Sequence, residues 1–266
     1  MASESSTEKF PSTQNTQYDK IGTKYNYMHE LPAVQPEKPS VVAAVGGIKG
    51  LRCLDLACGT GRYTHLLHTL GASSVHGYDI SSTMISGAKT TYPPSSYPAL
   101  HFAVADCSKP LDPKPEPFDL IFAGWFLNYA GTQEELVSMF RVIGENLKPD
   151  GRFVGITTNV NDPKMKEPKM DFYGLDILVL DPEYKEPGGS GEDLGITARV
   201  VAHTEFAIQF DVFQFKKDVY ERCAAKAGLR LKWSDPVVPD DERMATQYWA
   251  RWLERPTFVV VEAVRT

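Results

Sequence analysis

The chain has 266 residues, with 28 Lys and Arg against 34 Asp and Glu, and its formal charge at pH 7 is −6. Hydrophobic residues make up 42% and charged residues 23%, a composition that excludes a mostly disordered or fibrous chain. The negative balance argues against a nucleic-acid-binding protein, which normally presents a basic face.

Cysteine usage and the N-terminal sequence indicate where the protein works. The four cysteines form no C-x-x-C pair, which argues against a zinc ribbon or a disulfide scaffold and favours reduced thiols. Residues 1–17 are polar and lack a signal-peptide apolar region, so we expect a flexible N-terminus followed by a single domain over 18–266. No apolar run reaches the roughly 18 residues of a membrane helix. We expect a cytoplasmic monomer or homodimer without membrane or nucleic-acid partners and without a metal.

From residue 51 onward, short apolar runs alternate with helical spacings. The helix that follows Thr132 is the best defined, because Thr132 and Glu135 have the spacing of a capping box and Leu136 and Phe140 lie on one face. Strands and helices that alternate in this way predict a largely parallel sheet built from βαβ units. Strands are predicted at 51–56, 75–79, 100–105, 118–123 and 152–158.

The C-terminal part has a different pattern. Residues 159–195 are rich in Pro, Gly and acids, and a connection of this length predicts a lid or substrate loop inserted after the fifth strand. Beyond it we predict a β pair, a helix, an aromatic helix and two final strands. The β pair covers 196–203 and 206–215, the helix 217–227, and the final strands 229–233 and 257–263.

A glycine-rich turn lies between the first strand and the following helix. Doubly wound folds hold nucleotide-like ligands at this position. The loop has two of the three glycines of a dinucleotide fingerprint, Gly59 and Gly61, whereas Thr64 stands at the third position. Alone, this signal is weak.

Three aspartates strengthen the indication that this loop binds a ligand. Asp79 follows Gly59 by twenty residues at the end of the second strand, where a carboxylate binds ribose hydroxyls, and Asp106 ends the third strand. Asp55 places a negative charge beside the loop, which repels a pyrophosphate and attracts a sulfonium and an ammonium. The charge therefore favours S-adenosylmethionine over NAD. Each carboxylate alone could instead be a helix cap or turn residue.

The ordered motifs LDLACGTGRYT, GYDISSTM, VADCSKPL, FDLIFAGWFLNYA and LKPDGRFVGIT resemble those of class I S-adenosylmethionine-dependent methyltransferases. Further segments resemble the toxoflavin-biosynthesis subgroup of that family. These segments are 126–130, 219–222 with 227–229, and 248–253 with Pro256.

The resemblance implies a Rossmann-like α/β fold with a mostly parallel seven-stranded sheet flanked by helices, and S-adenosylmethionine as cofactor. It also implies a set of cofactor-binding residues, with the ribose on Asp79, the adenine near Asp106, and two tyrosines that close over the donor. This set is Tyr18, Tyr25, Asp55, Ala57, Gly59, Gly61, Asp79, Ile80, Met84, Asp106, Cys107 and Ala123.

Candidates for the acceptor side are fewer. A general base is needed only for an acceptor that carries a proton of high pKa, and Tyr129, Asn128 and His203 are candidates for it. Trp125, Phe126, Phe172 and Tyr173 are candidates for a flat, apolar substrate pocket. We interpret His29 as incidental.

These residues predict a methyltransferase that acts on N, O or S of a small, planar, heterocyclic metabolite, in secondary metabolism. A non-catalytic protein that retains the cofactor and an NAD(P)-dependent oxidoreductase remain alternatives.

Overall fold

A computed structural model describes residues 17–266, which form two β-sheets flanked by helices. The polar segment predicted over 1–17 lies outside the described residues except for Gln17. The strands are β1 (Arg52–Leu56), β2 (Ser74–Asp79), β3 (Leu100–Val104), β4 (Phe118–Gly124), β5 (Leu147–Thr158), β6 (Lys169–Phe172), β7 (Leu175–Tyr184), β8 (Gly195–Ala202), β9 (Ile208–Phe215), β10 (Leu229–Ser234) and β11 (Phe258–Arg265).

The α-helices are α1 (Tyr18–Ile21), α2 (Glu37–Val45), α3 (Arg62–Thr69), α4 (Ser82–Thr91), α5 (Gln133–Asn146), α6 (Lys217–Lys226) and α7 (Ala250–Glu254). Short 3-10 helices cover Gly22–Glu30, Pro32–Val34, Leu127–Tyr129 and Glu242–Ala245. Within residues 17–266, no helix combines the length and the apolar character that crossing a bilayer requires.

The larger sheet has seven strands in the order β10-β11-β5-β4-β1-β2-β3. Strands β1 to β5 pair in parallel, and β11 runs antiparallel between β5 and β10. The predicted mostly parallel seven-stranded sheet is therefore confirmed. The chain proceeds outward from β1 to β3 and then returns to place β4 on the other side of β1. Ligands of open α/β sheets bind beside the carboxyl ends of the strands at such a reversal.

Local sequence explains the best-predicted helix. The Thr132 hydroxyl accepts a hydrogen bond from the Glu135 amide at 3.1 Å, and the Glu135 carboxylate accepts one from the Gly131 amide at 2.7 Å. Leu136, Phe140 and the other apolar residues on this face of α5 are buried in the core beneath β4 and β5. The helix thus begins where the capping pattern predicts.

The smaller sheet corrects one prediction. Residues 159–195, expected as a loop, contribute β6 and β7 to a four-stranded antiparallel sheet with the order β6-β7-β8-β9. The predicted β pair at 196–203 and 206–215 is confirmed as β8 and β9. The insertion is therefore partly sheet, and the acidic, Gly- and Pro-rich sequence covers the end of β7 and the turn between β7 and β8.

The N-terminal segment over residues 17–34 is fixed to this smaller sheet. The Gln17 side chain makes two hydrogen bonds to the backbone of Asp211 in β9, at 3.0 and 2.8 Å. The Ala33 amide donates to the carbonyl of Tyr173, between β6 and β7, at 3.0 Å. Both ends of the segment are thereby held, and the residues between them lie across the carboxyl ends of the central strands.

Candidate active site

The loop after β1 presents backbone rather than side chains. Ala57, Gly59 and Gly61 have φ angles of 56°, 55° and 86°, in a region that residues other than glycine seldom adopt. A Cβ at Gly59 would meet no heavy atom of the described residues within 4 Å, whereas one at Gly61 would lie 2.8 Å from the Phe102 ring. Gly59 thus faces open space, and Gly61 permits close packing of the loop on β3.

Asp79 is fixed at the end of β2. Its two oxygens accept hydrogen bonds from the Gly59 amide at 2.8 Å and the Ser81 amide at 2.9 Å. Burial raises the pKa of this carboxyl, and the two backbone bonds oppose that shift. The side chain is 8% exposed and lines the cavity described below. Asp79 therefore joins the glycine loop to the end of β2, where the resemblance places the ribose.

Asp55 lies behind the loop and is 1% exposed. Its Oδ2 accepts a hydrogen bond from the Thr64 hydroxyl at 2.7 Å. Its Oδ1 has no partner of normal hydrogen-bond geometry within residues 17–266. Burial raises the pKa of Asp55 to about 7. The Asp55 side chain does not line the cavity, and Thr64 supports it where a nucleotide fingerprint has glycine.

Asp106 makes the local hydrogen bonds of a turn residue, which is the alternative role that the sequence allowed for it. One oxygen accepts from the Ser108 amide at 3.0 Å and the Ser108 hydroxyl at 2.6 Å, and the other lies 2.9 Å from the Lys109 ammonium. These hydrogen bonds outweigh partial burial, and the pKa of Asp106 is lowered. Because Asp106 and its buried neighbour Cys107 also line the cavity, the turn presents them to it.

A single cavity of about 200 Å³ brings most of the predicted site together. Of the predicted cofactor residues, three do not line it: Asp55 and Gly61, which lie behind the loop, and Ala123, which is buried within β4. The predicted residues that do line it are Tyr18, Tyr25, Ala57, Gly59, Asp79, Ile80, Met84, Asp106, Cys107, Trp125, Phe126 and Tyr129.

Aromatic side chains enclose the end of the cavity away from β3. Trp125, directly after β4, has a φ of 59°, an uncommon value for a bulky residue that turns the chain sharply at this point. The hydroxyls of Tyr18 and Tyr129 are in hydrogen-bond contact, and the Tyr18 ring packs edge-on against Tyr25 at 5.3 Å. Burial raises the pKa of all three tyrosines, so their hydroxyls stay protonated at neutral pH.

Four predicted acceptor-side residues lie outside the cavity. His203 lies after β8 and pairs through Nε2 with Asp176 at 3.0 Å on an exposed face. Asn128 is fully buried in the short helix after β4. Phe172 and Tyr173 pack beneath the C-terminal helix, where the Tyr173 ring stacks on Trp249 at 5.7 Å. The structure therefore does not support the predicted roles of these four residues.

One face of the smaller sheet covers the cavity, which the sequence did not indicate. Residues two apart along a strand share a face, and this alternation brings apolar side chains to the cavity. They are Leu175 and Ile177 from β7, Ala198 and Val200 from β8, and Phe210 and Val212 from β9.

Glu37 and Arg62 also line the cavity and were missed, and His29, interpreted as incidental from the sequence, lines it too. Arg62 could have been found, since it directly follows Gly61. Glu37 and His29 come from a Pro-punctuated stretch with no recognisable motif. Burial and the nearby Arg62 lower the pKa of His29 to about 3, so its ring is neutral at physiological pH.

The protein groups around the glycine loop are suited to bind an adenosyl sulfonium compound. The open backbone at Gly59 and the strand-end carboxylate Asp79 would contact its amino-acid and ribose parts. Oδ1 of Asp55, which has no hydrogen-bond partner within residues 17–266, would supply negative charge nearby when the donor's positive charge keeps that carboxyl ionised. Within residues 17–266 there is no cluster of three or more His, Cys, Asp or Glu residues that could hold a metal ion.

Residues 53–151 match the family model described as "methyltransferase domain". The mRNA cap guanine-N(7) methyltransferase of Caenorhabditis elegans is 32% identical over 121 residues, covering 41% of this chain and 32% of the relative. The ubiquinone/menaquinone biosynthesis C-methyltransferase of Desulfotalea psychrophila is 29% identical over 161 residues, which cover 59% of this chain and 62% of the relative. The chain thus spans less than two thirds of the length of these curated relatives.

The solved S-adenosylmethionine-dependent methyltransferase of Mesorhizobium loti is similar over 86% of this chain and 98% of that chain. Its TM-score is 0.60 at 22% sequence identity. Residues 53–151 are therefore similar to a methyltransferase domain, within a chain that has the Rossmann-like fold seen in solved S-adenosylmethionine-dependent methyltransferases.

Proposed function

We propose that this chain transfers a methyl group from S-adenosylmethionine to N, O or S of a small, planar, heterocyclic metabolite in secondary metabolism. Its place in the toxoflavin-biosynthesis subgroup is part of the same proposal and rests on the motifs at 126–130, 219–222 and 248–253. The observation that carries the proposal is the single cavity, which joins the glycine loop and Asp79 to an aromatic, largely apolar chamber.

The enclosure of the cavity supports a small acceptor. The N-terminal segment over residues 17–34 and the smaller sheet both cover it. The segment 159–195, predicted as a lid, contributes Lys169, Leu175 and Ile177 to the cavity wall. The aromatic, largely apolar walls of the cavity suit a flat ring better than a polynucleotide. The chain also carries a net charge of −6, which disfavours binding to a phosphate backbone.

The residues of this site have three tasks. When bound, S-adenosylmethionine supplies an electrophilic methyl group. The loop and Asp79 orient the donor, and holding two reactants in line is worth roughly 7–11 kcal/mol of a barrier. Trp125, Phe126 and Phe210 exclude water and offer flat surfaces to a ring. The Tyr129 hydroxyl is in hydrogen-bond contact with that of Tyr18, and burial raises its pKa, so it stays protonated at neutral pH and serves as a hydrogen-bonding group rather than as a base.

Calorimetry with S-adenosylhomocysteine and with NAD tests the donor assignment. We expect heat from S-adenosylhomocysteine alone. Heat from NAD alone would support an oxidoreductase and overturn the proposal.

Methyl transfer is tested separately, with methyl-tritiated S-adenosylmethionine, a panel of nitrogen heterocycles and a cognate metabolite extract. We expect label on a heteroatom of a small aromatic product, with Asp79→Ala as the inactive control. Label on a carbon atom would indicate a C-methyltransferase instead. Label on RNA would contradict the proposal of a small acceptor. Donor binding without any labelled product would favour a non-catalytic binding protein.

A further inference from the structure

We propose that Glu37 and Arg62 form a charged clamp that recognises the zwitterionic amino-acid end of the methyl donor. This inference rests on the proposed function, because it assigns the part of the donor opposite the adenosine. Glu37 comes from α2 and Arg62 from the first turn of α3, and both line the cavity.

Burial of the Glu37 carboxylate is energetically unfavourable for the folded protein. Glu37 is 4% exposed and accepts hydrogen bonds from Arg62 Nη1 at 3.2 Å, Tyr63 at 2.5 Å and Trp125 Nε1 at 2.8 Å. Burial raises its pKa, and the three donors oppose that shift. Placing a charged group in a cavity wall is unfavourable unless a partner or a ligand compensates it.

The strand order places this pair at the amino-acid end. Asp79 and Asp106 follow β2 and β3, on one side of β1, whereas Trp125 follows β4, on the other side. The adenosine end of the donor is assigned to Asp79 and Asp106. The other end must then extend across the glycine loop toward Arg62 and Trp125, where Glu37 bonds to both.

The charges match those of an α-amino acid. The ligand ammonium would lie beside the Glu37 carboxylate, and the ligand carboxylate would lie beside the Arg62 guanidinium. Each ligand charge would then contact a protein charge of the opposite sign. Arg62 has one ion-pair partner among the described residues and keeps a 27% exposed side chain, so other guanidinium donors remain available. A pair that served only to anchor α2 would not need to line the cavity.

The test compares two ligands that differ only at this end. S-adenosylhomocysteine carries the amino acid, and 5′-methylthioadenosine lacks it. We expect Glu37→Gln to weaken S-adenosylhomocysteine about tenfold or more in calorimetry while 5′-methylthioadenosine changes by less than twofold. Asp79→Asn should weaken both ligands, because both carry the ribose. The exposed Glu30, in the same N-terminal region and outside the cavity, provides the matched control variant Glu30→Gln.

Arg62→Gln is the second variant, and it keeps the test informative if Glu37→Gln does not fold. It too should reduce the preference for S-adenosylhomocysteine over 5′-methylthioadenosine. Equal weakening of both ligands, or no change for either, would overturn the clamp and leave a structural pair. A native protein that binds neither ligand would instead overturn the proposed function itself.

Discussion

The three aspartates at the strand ends differ in what burial does to them. Asp106 is partly exposed and paired with Lys109, so its pKa falls. Asp79 and Asp55 are buried, and their pKa values rise. The sequence pattern could predict that all three converge, because strand order decides it. It could not distinguish their roles, which depend on the partners that each side chain finds.

Asp79 is the side chain whose loss should most affect donor binding. Removal of its carboxylate in Asp79→Ala deletes the hydrogen bonds from the Gly59 and Ser81 amides and the predicted bonds to the ribose. We expect weaker S-adenosylhomocysteine binding by about 1–3 kcal/mol, measured by calorimetry. Asp150→Ala, at an exposed position in β5, is the control. Unchanged affinity in Asp79→Ala would remove Asp79 from the site.

Asp55 should make stability depend on pH. Its folded pKa of about 7 lies above its unfolded value of 3.8, so the folded state holds a proton that the unfolded state has lost between these pH values. The stabilisation from this group is fully present below pH 4 and is lost as the pH rises through 7. Asp55→Asn keeps the shape and removes the titration.

We therefore expect Asp55→Asn to gain stability relative to the native protein between pH 5 and pH 8, by a few kcal/mol at most. Urea unfolding of the protein without donor at several pH values measures the difference. A difference that stays constant with pH would show that Asp55 is ionised in the fold throughout. Because the cationic donor would compensate the ionised carboxylate, we expect donor binding to reduce the difference.

Helix α5 shows how far local sequence determines an element. Thr132→Ala removes the bond from the Glu135 amide at the first turn. We expect a loss of about 1 kcal/mol in the free energy of unfolding, measured by urea denaturation. Thr132→Ser keeps an accepting hydroxyl and should retain most of the stability. Equal losses in both variants would assign the effect to packing of the methyl group instead.

The strands of the smaller sheet show where local sequence is insufficient. Strand β7 contains Pro182 and is followed by an acidic, Gly-rich turn, features that are typical of loops. Its pairing with β8 shifts register twice, between Val179 and Asp181 and between Asp181 and Tyr184. Such irregularities interrupt the period-two pattern that identifies a strand. Strands β1 to β4, in contrast, are short and were predicted to within one or two residues, whereas β5 begins at Leu147, five residues before its predicted start.

The assembled molecule explains why one part of the site was predictable and another was not. The residues at consecutive strand ends follow from one ordered set of motifs. The part that covers them joins Tyr18 and Tyr25, which only the family resemblance implied, to Phe210, almost two hundred positions along the chain. No spacing rule links residues so far apart. Only the antiparallel sheet and its bonds to Gln17 bring them together.

Because one cavity joins these distant segments, donor binding should stabilise all of them together. Hydrogen exchange with saturating S-adenosylhomocysteine should show the largest gain in protection over 17–34, 57–63 and 208–215, whereas α6, which does not line the cavity, should gain no more than the increase in global stability provides. At a hundredfold excess over Kd, binding adds about 2.7 kcal/mol to global stability. NAD at the same concentration is the control. Protection confined to the glycine loop would show that the N-terminal segment and the smaller sheet move independently of the donor site.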